Sequence, residues 1–141
     1  MRHSDNVLGA QWAKLIVNCA YNALSAIAQL PFGPLLRGEG IDDVMRDVVE
    51  ECLAVAHAAQ VRVDGDPWEA LRRTGSQAGQ VSSMAQDLAR GRRTEIDHLN
   101  GYVVPMGEAH GVPTPVNRCP QVLVNLLQSR RAVASAGAAA L

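Results

Sequence analysis

Lysine is nearly missing from this 141-residue chain: of 13 basic side chains, twelve are arginine and one, Lys14, is lysine. Aromatic residues make up only 4%, and Phe32 is the single phenylalanine. Neither sign of charge is in excess. A formal net charge of -1 excludes a nucleic-acid binder that works through a basic surface. The three cysteines, Cys19, Cys52 and Cys119, are odd in number and far apart. With no CxxC and no histidine at ligand spacing, they exclude a disulfide framework or a zinc site, and no metal is expected. Reduced thiols in a cytoplasmic protein are the reading. The polar start MRHSDN leads into no signal-peptide core, so secretion is not expected. Residues 7–36 carry a single charge, yet Lys14, Asn18, Asn22 and Gln29 interrupt the run. Inserting such groups into a bilayer is costly, so a buried helix is expected and no membrane span. A glycine-rich phosphate loop is also lacking. Gly38-Glu39-Gly40 has Asp43 at the sixth position and no strand before it.

What is present suits one domain with a sizeable core: 48% of residues are apolar and 19% charged. The apolar spacing is helical nearly throughout, and about six helices are predicted, giving an all-α fold. The first runs from about Leu8 to Leu30 and ends at the Pro31-Phe32-Gly33-Pro34 turn. A second spans roughly Ile41 to Val61, with Val44, Val48, Cys52, Val55 and Ala59 as its apolar set. Asp66-Pro67-Trp68-Glu69 starts a third: an N-cap, a proline in the first turn, and Glu three residues after the cap. Ser82 or Ser83 caps a fourth, closed by Gly91, and Thr94 caps a fifth that runs from Glu95 towards His110. Thr114-Pro115 opens a sixth that reaches about Arg131, and the Ala-rich end is expected to fray.

Two clusters stand out. Lys14, Asn18 and Asn22 fall at i, i+4 and i+8 and form one row on an otherwise apolar first helix. One ammonium and two amides suit a small oxygen-rich anion. Equally, the lysine could snorkel to the surface while the amides satisfy nearby backbone. The second cluster, SSMAQDLARGRRTEID at 82–97, brings two hydroxyls, an arginine pair and Glu95 into one helix-loop-helix. Its bland reading has Ser82 as a cap, Glu95 answering a helix dipole, and Arg90, Arg92 and Arg93 as a solvated or subunit-contact face. His57, His98 and His110 lie on separate helices and read as surface or core histidines.

Together and in order, WAKLIVNCAYNALSAI (12–27), SSMAQDLARGRRTEIDHLNGYVV (82–104) and HGVPTPVN (110–117) resemble the C-terminal domain of ketopantoate reductase (2-dehydropantoate 2-reductase). The resemblance implies a helical fold like the C-terminal domains of 6-phosphogluconate dehydrogenases. It implies that Lys14 is the catalytic lysine, bonded to the keto oxygen, and that Glu95 contacts the substrate hydroxyl. Asn18, Asn22 and Ser83 match substrate-binding positions. Phe32 departs from the pattern where some members place another asparagine, and Pro105 and Pro120 interrupt expected helices.

In that family NADPH lies on an N-terminal Rossmann domain, and the substrate, ketopantoate, sits between the domains. The organisation expected here is a linker remnant at 1–10, the substrate-binding and catalytic domain at 11–131, and a tail at 132–141. No Rossmann domain and no complete nucleotide site are expected. The chain alone should then be inactive, and a separate Rossmann chain could supply the nucleotide. A homodimer through the second and sixth helices is expected, since the face left by a missing partner domain is apolar. A non-catalytic helical interaction module and a reductase half for a different 2-keto acid are the competing readings.

Overall fold

A computed structural model describes residues 6–75 and 81–140, with the helical backbone alone for 131–140. Among these residues the chain forms seven α-helices and a 3-10 turn, with no strand. The helices are α1 (Val7–Ala28), α2 (Phe32–Leu36), α3 (Ile41–Ala58), α4 (Pro67–Gly75), α5 (Ser83–Ala89), α6 (Asn100–His110) and α7 (Pro115–Ala140). The turn is Ile96–His98. The all-α reading holds.

Asn6 caps α1. Its side-chain oxygen accepts from the Gly9 N–H at 3.2 Å, while its amide donates to the Arg62 carbonyl at 2.9 Å and the Asp64 carboxylate at 2.7 Å. At the other end Gln29 turns left-handed, with φ 56°, and its side chain reaches the Ala85 carbonyl of α5 at 3.1 Å. Both ends of α1 are thus tied to distant segments. Its middle packs on α3, and Trp12, Ile16, Cys19 and Ala23 share one buried core with Met45, Val48, Cys52 and Val55. Small residues at Cys19, Ala20, Ala23 and Ala26 let the neighbouring helices approach closely.

Four details differ from the periodic reading. The Pro31–Pro34 turn itself holds α2, because Pro34 falls in a first turn whose N–H groups have no helical partner anyway. On α3 the buried stripe runs through Met45, Val48, Cys52 and Val55, leaving Val44 exposed, and the helix stops at Ala58. The predicted fifth helix is broken. Thr94 Oγ1 accepts from the Ile96 N–H at 3.3 Å, a 3-10 turn follows, and Leu99 (φ -110°, ψ -100°) separates it from α6. Finally, α7 continues beyond Arg131 to Ala140, through alanines that favour helix most. Both α6 and α7 continue past their prolines, Pro105 and Pro120.

Candidate active site

Lys14, Asn18 and Asn22 occupy successive turns of α1, so the row predicted from spacing exists as one helical stripe. Lys14 is exposed, and both asparagines are half-buried. Ser82 is the N-cap of α5: its hydroxyl is buried and accepts from the Ala85 N–H at 3.1 Å. Ser83, the first helical residue, is left exposed. Glu95 is exposed as well and directly precedes the 3-10 turn rather than opening a long helix.

None of Lys14, Asn18, Asn22, Ser83 and Glu95 has a side-chain hydrogen bond or ion pair among the described residues. Lys14 and Glu95 therefore do not form a closed pair, and the asparagines do not spend their amides on nearby backbone. Both asparagines are only half-buried, so their amide donors and acceptors stay open to water or to a ligand.

The chain around Glu95 is held from behind. The Thr94 N–H donates to Gln128 Oε1 on α7 at 2.6 Å, Gln128 donates to Asn125 at 3.1 Å, and Asn125 donates to Asp97 at 3.4 Å. A cleft of about 220 Å³ lies between this segment and α1, lined by Leu8, Gln11, Trp12, Leu15, His98 and Tyr102. Trp12 and Tyr102 meet across it with ring centroids 6.0 Å apart. The turn after Glu95 thus meets α1 across this cleft, although neither Lys14 nor Glu95 lines it. Sequence reasoning missed Gln128 and Asn125, whose only signal was two amides at i, i+3 on a helix that also carries Asn117, Arg118 and Gln121.

Phe32 is buried against Tyr21, with ring centroids 5.3 Å apart. His57, His98 and His110 are exposed and on separate elements. Among the described residues no three His, Cys, Asp or Glu side chains gather as a metal site would need, and no helix is long and apolar enough to cross a membrane. Cys19 and Cys52 are buried, and Cys119 is exposed.

The fold places the chain in a class, the helical domains of solved reductases and dehydrogenases. A ketopantoate reductase of the PanE/ApbA family from Ralstonia eutropha superposes with a TM-score of 0.86 at 59% identity, over 89% of this chain and 43% of that one. D-mandelate dehydrogenase, in a ternary structure with NADH and anilino(oxo)acetate, superposes with a TM-score of 0.81 at 26% identity, over 89% and 42%. By sequence, the chain belongs to the family of ketopantoate reductase PanE/ApbA C-terminal domains, which it matches over residues 6–129. The 2-dehydropantoate 2-reductase of Pyrobaculum aerophilum is 40% identical over 138 residues, covering 97% of this chain and 48% of the relative. That of Vibrio cholerae is 42% identical over 113 residues, covering 77% and 37%. The chain therefore spans about half the length, or less, of these curated relatives.

Proposed function

We propose that this chain is the substrate-binding and proton-donating half of an NADPH-dependent ketopantoate reductase. The observation that carries the reading is the open Lys14–Asn18–Asn22 row, which has no partner among the described residues. When a 2-keto acid is reduced, negative charge develops on the carbonyl oxygen, and that oxygen must gain a proton. The Lys14 ammonium is the group assigned to stabilise this charge and to give the proton. It recovers one from solvent, to which it is exposed. Asn18, Asn22 and Ser83 are assigned to hold the substrate, and Glu95 to accept from its hydroxyl.

The described residues do not fit a nicotinamide nucleotide. Gly38-Glu39-Gly40 leads into α3 with no strand before it, and no other glycine-rich turn opens a helix. In this reading NADPH is held by a Rossmann unit outside the described residues, in the same polypeptide or in another chain. The 141 residues alone should turn over no keto acid. The work is proposed to take place in the cytoplasm, with the chain as a homodimer through α3 and α7. Exposed Val44 on α3 and Val122, Leu123 and Leu126 on α7 support that contact.

A second reading, a different 2-keto acid, is favoured by Phe32. Packed on Tyr21, it offers the substrate no hydrogen-bonding group at a position where relatives can place an amide. Calorimetric titration of the chain tests both. Ketopantoate is expected to bind wild type, and Lys14→Ala to weaken binding at least about tenfold through loss of a charge-assisted hydrogen bond. Tighter binding of the analogue lacking the hydroxyl would favour the second reading. Equal binding by wild type and Lys14→Ala, or none by wild type, would overturn the first.

A further inference from the structure

Two asparagines are fully buried where α1, α3, α6 and α7 meet. Asn100, the first residue of α6, donates its amide to the Cys19 carbonyl at 3.3 Å and to Asn117 Oδ1 at 3.0 Å. Asn117, in the first turn of α7, donates its amide to Glu51 at 2.9 Å and to the Val48 carbonyl at 3.4 Å. The Cys52 thiol adds a contact to Asn117 Oδ1 at 3.6 Å. Asn100 Oδ1, buried as deeply, has no partner among the described residues.

Stability is a poor explanation for this arrangement. Burying an unmatched amide oxygen costs roughly 1–3 kcal/mol, and well-packed apolar side chains of the same shape could fill the space without that cost. What a hydrogen bond supplies and apolar packing does not is direction and register. The register fixed here is specific. Cys19 directly follows Asn18 in the row, and Asn100 comes five residues after Glu95. The chain between Glu95 and Asn100 is a 3-10 turn closed by the His98 N–H on the Glu95 carbonyl at 2.8 Å and the Leu99 N–H on the Ile96 carbonyl at 3.2 Å. A bond at Asn100 therefore fixes where Glu95 stands along α1.

We propose that Asn100 is a positioning residue for the keto-acid site: through the Cys19 carbonyl it sets Glu95 against the Lys14–Asn18 row, with Asn117 and Glu51 holding its amide in place. The inference rests on the site reading given above. Asn and Leu have nearly the same shape, so Asn100→Leu removes the bonds while filling the space.

The test combines amide hydrogen exchange with keto-acid affinity. In Asn100→Leu the His98 and Leu99 amides should exchange at least about tenfold faster, while the α1 and α3 core amides keep wild-type protection and Tm does not fall. Ketopantoate affinity should drop to that of Glu95→Gln, and the double variant should be no weaker than either single one. Wild-type exchange at the turn, wild-type affinity, or loss of protection spread evenly through α1 and α3 would each overturn the proposal. If Asn100→Leu does not fold, Asn100→Ala is read by the same measures. Failure of both to fold would show a role in folding alone and overturn it too. Absence of binding by wild type would instead count against the function proposed above, and the exchange rates would then decide this inference.

Discussion

Glu51 on α3 accepts both the backbone and the side-chain N–H of Asn117 on α7, each at 2.9 Å. Its second oxygen accepts from the Val116 N–H at 3.0 Å. A carboxylate from a neighbouring helix thereby caps the start of α7, where exposed N–H groups and the helix dipole favour negative charge. Glu51→Ala leaves three donors without an acceptor. It should destabilise the domain by about 2–3 kcal/mol, lowering Tm by roughly 5–10 °C. Glu51→Gln, which keeps one acceptor oxygen, should lose less. Calorimetric melting of the three proteins checks the order.

Adjacent serines should separate cleanly. Ser82→Ala removes the cap of α5 and should cost about 1 kcal/mol, with little effect on keto-acid affinity per folded molecule. Ser83→Ala removes an exposed hydroxyl with no partner among the described residues, so it should leave Tm unchanged and weaken ketopantoate binding. Melting and titration on the same preparations give both numbers.

The cysteines divide by burial. A thiol-specific disulfide reagent should modify Cys119 quickly in the native protein, and Cys19 and Cys52 only on unfolding. The side-chain hydrogen bond with Cys52, and then burial, push the Cys19 thiol well above its ordinary range. The sign follows from proton binding. Below about pH 8.5 the thiol is neutral in both folded and unfolded chains, so this stabilising difference is fully present. At higher pH the unfolded chain loses the proton first, and stability falls until the folded thiol also ionises. Denaturant titrations should show a shallower alkaline loss in Cys19→Ala than in wild type.

Elements governed by local chemistry were legible in the sequence. The row on α1 follows from 3.6-residue spacing, and α4 begins where Asp66 and Pro67 announce it, with the Trp68 N–H donating to Asp66 at 3.0 Å. The stripe on α3 was misjudged by one position, because Val44 and Met45 are both apolar and only packing on α1 chooses between them. The break at Leu99 was not legible. The next residue, Asn100, bonds to Cys19, 81 residues away, and to Asn117, 17 away, and periodicity carries no signal for either bond. The proposed site residues were named one by one from the sequence, without their surroundings. That Ser83 is open depends on which serine caps α5, and the orientation of the Glu95 segment depends on Gln128.

In the proposed reduction Lys14 gives its proton to the keto oxygen, and a chimera measures that role. This chain would replace the C-terminal half of the Ralstonia eutropha ketopantoate reductase, 59% identical to it over the shared region. NADPH-dependent turnover of ketopantoate by the chimera is expected, with a fall in kcat of about 100-fold or more in Lys14→Ala. A folded, ketopantoate-binding chimera whose turnover is the same with alanine at position 14 would contradict it.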